Sequence, residues 1–419
     1  MAGLDDSLAV TGPATARAWL GRLFPWLLFL IALGPRLVAV GRYVTPDELV
    51  WVYRALQFRE ALLDGRWADT LVAGHPGVTT TWLGALSMSV QVWLSPDARA
   101  AYDWLTHVAA LTPDNVEAFR RLAVLLTGGR LAVAVVNSLG VVGVYVLLRR
   151  LWAGEQGGRG AGEMEFSPAP LLPCPPALLA ALLLALDPFL AGLSGLFHVD
   201  GLSATFVTLA LLCSTGFLSC APRHRIRILC YTILSGVLTG LAVLTKTPAL
   251  VLLPVVGLAL LWAAWRDEGP WRARLVALLG RGLLWGAAAA LTVVALYPAL
   301  WTDAAAVLAT VGGSANRHLD EALRETFFLG RAVFDPGPLF YPVALLWRLS
   351  PVVWLAALPA LSLILSRRSR GRPAPSPFGR GRGRGSYLTE PEALSLTLSQ
   401  GEREPAPSPF GKGLGRGSL

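Results

Sequence analysis

The fold follows from stretches such as LAVLLTGGRLAVAVVNSLGVVGVYVLL, which occupies residues 122–148. An apolar run of this length exceeds the roughly 20 residues that a helix needs to cross a bilayer. Comparable runs recur along the chain and predict about eight membrane spans. They lie at residues 23–40, 122–148, 176–196, 201–219, 226–244, 248–265, 282–300 and 338–365. The sequence therefore predicts an all-α, polytopic membrane protein.

Composition supports this prediction. The 419 residues are 54% hydrophobic and 15% charged, and the mean hydropathy is +0.54, whereas soluble domains carry about 25% charged residues. The net charge of +9 is compatible with nucleic-acid binding. However, the arginines cluster in short segments between the apolar runs, where membrane orientation explains them better. We therefore expect membrane lipids around the protein and no nucleic acid as a partner.

The basic segments predict the orientation. If every predicted span crosses once, they share one side: Arg149–Arg159, Arg223–Arg227, Arg266–Arg281 and Arg367–Arg372. By the positive-inside rule that side is cytoplasmic, and so is the N-terminal segment 1–22. The opposite side receives a first outer loop, 41–121, and a last outer loop, 301–337. We expect residues 23–365 to form a multi-pass domain of the cell (plasma) membrane.

Local signals predict helices inside the first outer loop. One runs from Pro46 to about Leu63, with Gly65 as its C-terminal stop, and a second covers Val78–Leu94. Both are expected to lie in the membrane interface. In the first span, Arg36 is expected to snorkel outward to the headgroups.

The C-terminal segment has a different composition. Residues 373–379 read PAPSPFG, and the same seven letters recur at 405–411. Each copy continues into a run rich in Gly and basic residues, and such a segment cannot bury a core. Residues 366–419 are therefore predicted to be a disordered, repeat-derived tail.

Two acids open the first outer loop, in Thr45-Pro46-Asp47-Glu48. Thr45 as N-cap, proline at the first helical position and Glu48 three residues after Thr45 form a capping box, which fully explains Glu48. It explains Asp47 only as a favourable charge in the first turn. A carboxylate at a membrane interface is also suited to act as a general base, so Asp47 stays open to both interpretations.

Three further polar sites fall on the same predicted side. Gly74-His75-Pro76-Gly77 is a turn by composition, although His75 could also bind a phosphate. His198 and Asp200 lie at a span junction, where Asp200 either caps the helix that follows or takes part in function. Lys246 stands between two apolar runs. Because the positive-inside rule disfavours an outer lysine, Lys246 indicates an anionic partner such as a lipid phosphate.

The last outer loop contains Arg317 and His318, either of which could reach a phosphate, although a solvated loop explains them equally. Asp47 and Glu48 could bind a divalent cation, but no ligand spacing requires one. The sequence therefore predicts no definite metal site and no definite cofactor.

In order and in common side, these motifs resemble the membrane glycosyltransferases of the C-type fold, the group that includes the protein O-mannosyltransferases and the aminoarabinose transferases. The resemblance covers about residues 20–365. It is carried by six motifs: Asp47-Glu48, His75-Pro76-Gly77 before Thr79–Trp82, His198-Val199-Asp200, Gly236–Lys246, Phe327–Gly330 and Pro338–Pro342.

The resemblance implies a function. Members of this group take a sugar from a polyprenyl-phosphate carrier and transfer it on the outer face, here to a lipid, glycan or protein acceptor. By this resemblance Asp47 is the general base, Glu48 supports it and Asp200 orients a substrate. His75, His198 and Lys246, with Arg317 or His318, then bind the donor and hold its phosphate, because the leaving group needs positive charge.

Two other interpretations remain. A transporter typically shows internal repeats and polar or broken helices at mid-membrane, whereas the ionisable residues here gather at predicted outer span ends. A C-terminally truncated, non-catalytic glycosyltransferase remnant would keep the same spans.

Overall fold

The computed structural model describes residues 13–38, 40–74, 76–157, 175–220, 224–267, 269–322 and 325–370. It divides into two units, Met1–Ala360 and Leu361–Leu419. Its helices are α1 Pro13–Val38, α2 Pro46–Leu63, α3 Val78–Leu94, α4 Pro96–Leu105, α5 Val116–Gly157, α6 Pro175–Leu186, α7 Pro188–Leu193, α8 Val199–Ser219, α9 Arg225–Thr245, α10 Leu252–Arg266, α11 Trp271–Leu296, α12 Ala299–Thr302, α13 Ala304–Ala322, α14 Phe340–Arg348 and α15 Pro351–Arg370. Two 3-10 turns, Trp67–Thr70 and Thr247–Val251, precede α3 and α10, and strands β1 Thr326–Phe328 and β2 Arg331–Val333 pair antiparallel.

The prediction of an all-α, polytopic membrane protein is confirmed. Within the described residues, five helical segments are long and apolar enough to cross a membrane: Val116–Trp152, Val199–Ser219, Arg225–Thr245, Thr247–Arg266 and Trp271–Leu296. The bent pair α14 and α15 makes six if it counts as one span. Of the other predicted spans, Leu23–Val38 and Pro175–Leu186 are shorter apolar helices within the described residues.

A break interrupts the predicted span 176–196. Helix α6 ends at Leu186, and Asp187 then caps α7 by accepting a hydrogen bond from the Leu190 amide at 2.9 Å. The cause is Pro188, which cannot continue the first helix. Arg36 lies against this break, because its guanidinium donates to the carbonyl of Ala185 at 3.3 Å. Arg36 is only 3% exposed, so the expectation that it snorkels outward is wrong.

The predicted span 338–365 is also not a single straight helix. Helix α14 and the first part of α15, Pro351–Leu358, meet at an angle of 106°. Before them, the β1–β2 hairpin turns through Leu329 and Gly330, which both have positive φ angles. The hairpin was not predicted, because Leu-Gly is an unusual pair for a turn that needs two left-handed residues.

The predicted helices of the 41–121 segment are confirmed at Pro46–Leu63 and Val78–Leu94, and α4 is an addition. Gly65 has a φ of +69° just after α2, as expected for a C-terminal stop. Helix α2 is not amphipathic, since Trp51, Val52 and Tyr53 are buried in succession. Helices α2, α3 and α4 all pack on α5, and their shared core also includes Phe197, Val199 and Leu202.

Small residues set the distance between α9 and α11. A Cβ added at Gly236 would lie 2.5 Å from the carbonyl oxygen of Trp285, and one at Gly240 would lie 2.7 Å from that of Ala289. Spacing two glycines four residues apart lets helix backbones approach closely in a membrane. This contact fixes the end of α9, and with it the position of Lys246.

Candidate active site

A buried carboxylate anchors the site. The Glu48 side chain is fully buried and forms a two-pronged ion pair with Arg130, at 2.7 Å to Nε and 2.6 Å to Nη2. The backbone amide and the hydroxyl of Thr45 each donate to the Glu48 carboxylate at 3.0 Å. The predicted capping arrangement is therefore confirmed, and the ion pair with Arg130 adds to it.

Sequence analysis missed Arg130. It is a charged residue inside the apolar run 122–148, and an ionisable residue at such a position is a functional candidate by default. Besides Glu48 it binds the carbonyl oxygen of Val40 at 2.7 Å and that of Tyr43. Arg130 thus fixes the course of the chain from Val40 to Glu48.

The environment keeps Glu48 ionised. Burial by itself raises the pKa of Glu48, but hydrogen bonds from Arg130 and from the amides of Thr45 and Phe197 outweigh it, so the pKa lies below its ordinary value. A carboxylate that is buried, paired and held in this state is a poor proton acceptor. Its geometry suits a residue that positions the first turn of α2.

The same carboxylate ties α2 to the turn before α8. The backbone amide of Phe197 donates to Glu48 Oε1 at 2.9 Å. Phe197 precedes His198, the N-cap of α8, and Asp200 lies in the first turn of that helix. Asn137, also unpredicted, holds the turn from α5 by donating to the Ser194 carbonyl at 2.9 Å. Two motifs far apart in sequence are thereby neighbours.

Asp200 stands between two basic groups. It forms an ion pair with the ammonium of Lys246, and its other oxygen lies 3.5 Å from His198 Nδ1. The Asp200 and Lys246 side chains are 35% and 36% exposed. Helix α8 begins at Val199 with His198 as N-cap, so the expectation that Asp200 itself caps a helix from Gly201 is wrong. The structure brings three predicted residues into one group that solvent can reach.

Asp47 lies on α2, the helix whose Trp51 contacts His198. It is exposed in the first turn of α2 and interacts electrostatically with Arg54, two turns further along. The Arg54 guanidinium stacks on Trp51 at 4.7 Å, and Trp51 meets the His198 ring edge to face at 6.3 Å. We call Asp47, Trp51, His198, Asp200 and Lys246 the loop cluster. Neither Trp51 nor Arg54 was predicted from the sequence, and the contact of Trp51 with His198 depends on a turn far along the chain.

The turn before α3 closes the loop cluster. The amide of Gly77 donates to the Thr245 carbonyl at 3.1 Å, and the Thr79 and Thr245 hydroxyls are 2.7 Å apart. These contacts place the predicted motif around Gly77 beside Lys246. His75 itself lies outside the described residues.

We expect Gly77→Ala to destabilise the protein by about 2–4 kcal/mol, the sum of overpacking and a positive φ angle. Gly77 has a φ of +57°, and an added Cβ would lie 2.1 Å from the Trp51 ring. Thermal unfolding of the purified protein measures the change. Gly257→Ala is the control, because an added Cβ there meets nothing within 4 Å. Equal melting temperatures for the two variants would contradict the tight contact with Trp51.

Arg317 and His318 lie near the end of helix α13, and their side chains are not among those described. Val307 of α13 and Ala299 of α12 share an apolar cluster with Val78 of α3 and Leu244 of α9. The start of α13 therefore packs near the first turn of α3. The predicted common side of the first and last loops thus has contacts to support it.

No group of three or more His, Cys, Asp or Glu side chains with a geometry suited to a metal ion occurs within the described ranges. Asp47 is exposed and Glu48 is engaged by Arg130, so this acidic pair does not present two free carboxylates to one cation.

A protein-family model matches part of the chain. Residues 118–285, fewer than half of the 419, match the model of the dolichyl-phosphate-mannose-protein mannosyltransferase family. Comparison with curated proteins and with solved structures gave no significant match. The matched segment contains Arg130 and the group of His198, Asp200 and Lys246, while Asp47 lies before it. The predicted resemblance is thus confirmed over this segment, which is consistent with a membrane glycosyltransferase of the dolichyl-phosphate-mannose-protein mannosyltransferase type.

Proposed function

We propose that the protein transfers a sugar from a polyprenyl-phosphate carrier to an acceptor on the outer face of the cell membrane, with a cytoplasmic N-terminus. The observation that carries the proposal is the bond between Glu48 and the Phe197 amide. It ties the first turn of α2, which carries the exposed Asp47, to the turn that carries His198 and precedes Asp200, the ion-pair partner of Lys246. A base and a phosphate-binding cation are the two groups that such a transfer requires.

Asp47 is the general base in this proposal. It removes the proton from the acceptor hydroxyl or amine as the oxygen or nitrogen attacks the sugar carbon that is bonded to the phosphate. Its neighbour Glu48 is already ionised and engaged by Arg130, so Asp47 is the carboxylate of the pair that an acceptor can approach. Arg54 lies two turns further along α2 and interacts electrostatically with Asp47.

Lys246 binds the phosphate of the donor. When the bond between the sugar and the phosphate oxygen breaks, negative charge builds on that oxygen, and a nearby ammonium lowers the barrier. One carboxylate oxygen of Asp200 holds the Lys246 ammonium in place, and the other oxygen faces His198. The family match supports this donor class, because its name refers to mannose carried on dolichyl phosphate.

The donor is tested with purified protein in lipid. Transfer to an acceptor is followed from two sugar donors, a polyprenyl-phosphate-linked mannose and a nucleotide-linked mannose. We expect product from the lipid-linked donor alone. Product from the nucleotide-linked donor would contradict the proposed donor class, and folded protein without activity toward any lipid-linked sugar would favour a non-catalytic remnant.

Replacing Lys246 by Gln should lower kcat/KM for the lipid-linked donor by about 10²-fold, the usual effect of removing one transition-state-stabilising group. Lys246→Arg should recover part of the rate, because it keeps the charge. If Lys246 served only to neutralise Asp200, the double variant Lys246→Gln/Asp200→Asn would regain wild-type activity. Steady-state kinetics of the four proteins decides between the two roles.

A further inference from the structure

A second polar site lies at the other end of α9. Helix α9 starts at Arg225 and ends just before Lys246, and its 21 residues correspond to a length of about 30 Å. At the Arg225 end, a cleft of about 790 Å³ opens between α9, the turn after α10 and the first half of α11. It is therefore separate from the loop cluster.

The polar part of the cleft is basic. Arg225, Arg274 and Arg281 line it together with one acid, Asp267. Asp267 lies 3.7 Å from Arg281, and Arg274 is oriented by its Nε, which donates to the Gly269 carbonyl at 2.8 Å. Two arginines on two different helices are thus left to attract an anion.

Apart from Thr232 and two glycines, the rest of the lining is apolar. It includes Ile228, Leu229, Ala273, Ala277 and Leu284. The outward surface of α11 continues this apolar wall, since Val276 and Leu283 are 71% and 72% exposed. A site with basic groups at one end and an apolar wall beside exposed membrane helices fits an amphiphile better than a small soluble anion.

We propose that this cleft binds an anionic phospholipid, with its phosphate between Arg225 and Arg274 and an acyl chain along α9 and α11. Basic pockets between membrane helices recognise such headgroups. The chain's own segment after Ser366 is a poorer occupant, because Arg367, Arg368, Arg370 and Arg372 give it the same charge as the cleft. A free phosphate shares the headgroup chemistry, and the test below separates the two. The inference does not depend on the proposed sugar transfer.

The test is native mass spectrometry of the full-length protein in detergent with added phosphatidylglycerol or phosphatidylcholine. We expect one phosphatidylglycerol to stay bound to the wild type. Arg225→Gln/Arg274→Gln should weaken this binding about 30-fold, because each arginine near an anionic headgroup is worth roughly fivefold. The matched control is Arg99→Gln/Arg120→Gln, which removes the same charge at exposed positions and should bind as the wild type does.

A second variant blocks the cleft without removing charge, so that loss of lipid binding can be told apart from misfolding of the arginine variant. Ala277→Phe keeps every arginine and places a large side chain in the cleft. We expect this variant to lose the bound lipid as well, while its thermal unfolding stays cooperative. Three results would overturn the proposal: equal phosphatidylglycerol binding by wild type and the double arginine variant, equal binding of both lipids, or displacement of the lipid by millimolar inorganic phosphate. The last result would assign the cleft to free phosphate.

Discussion

Asp47→Asn should lower the rate of sugar transfer by about 10²–10⁴-fold, the contribution of a positioned general base, and should leave the fold intact. Asparagine has nearly the same shape as aspartate but accepts no proton at neutral pH. Because the side chain of Asp47 is exposed, its replacement opens no cavity and leaves no buried charge. We expect a loss of stability of at most about 1 kcal/mol, from the lost charge in the first turn of α2.

The chain offers a matched control for this experiment. Ser95-Pro96-Asp97 opens α4 as Thr45-Pro46-Asp47 opens α2, and Asp97 is likewise exposed in a first turn. Asp97→Asn should therefore have a similar small effect on stability and none on transfer. Single-turnover rates with a polyprenyl-phosphate donor compare the two variants. If Asp47→Asn kept the wild-type rate, the base would lie elsewhere, and Asp200 would be the next residue to replace.

Arg130→Met should destabilise the protein by about 3–5 kcal/mol, the usual cost of removing one partner of a buried ion pair. The carboxylate of Glu48 would stay buried and charged with only backbone amides and the Thr45 hydroxyl to bind it. The carbonyl oxygens of Val40 and Tyr43 would lose their donor as well. We expect the melting temperature in detergent to fall by roughly 6–10 °C.

Two further variants show whether the ion pair is the cause. Arg120 lies on the same helix with its side chain 75% exposed, so Arg120→Met should change the melting temperature little. The double variant Glu48→Gln/Arg130→Met removes both charges and keeps an oxygen for the Phe197 amide, so it should recover more than half of the loss. A double variant as unstable as Arg130→Met would show that packing of the arginine, and not its charge, stabilises the turn.

Helix ends in the 41–121 segment could be predicted closely because their signals are local. Thr45 and Pro46 start α2, Gly65 follows its end, and prolines bracket α3. The same kind of signal was present at Pro188 and Pro351, where it was outweighed by the high hydropathy of the surrounding residues. Hydropathy alone measures length along the sequence and does not report whether the helix is continuous.

The partners of the predicted site residues could be predicted only in part. That Asp200 and Lys246 share a side followed from counting spans, but their ion pair did not. Glu48 and Arg130 are 82 positions apart, and no local pattern connects them. A single charge in an apolar run was the available sign that Arg130 has a buried partner. The partner's identity depends on how α2 packs on α5, which periodicity does not determine.

The bonds around Glu48 also set an order of events during synthesis. Arg130 follows Glu48 by 82 positions and Phe197 follows it by 149, while Thr245 follows Gly77 by 168. At ribosomal rates of roughly 5–20 residues per second, Glu48 waits about 4–16 s for Arg130 and about 7–30 s for Phe197. The nascent chain thus holds the Glu48 carboxylate near the membrane before Arg130 and Phe197 have been synthesised. Insertion of α5 neutralises it first, and only the arrival of α8 and α9 completes the loop cluster.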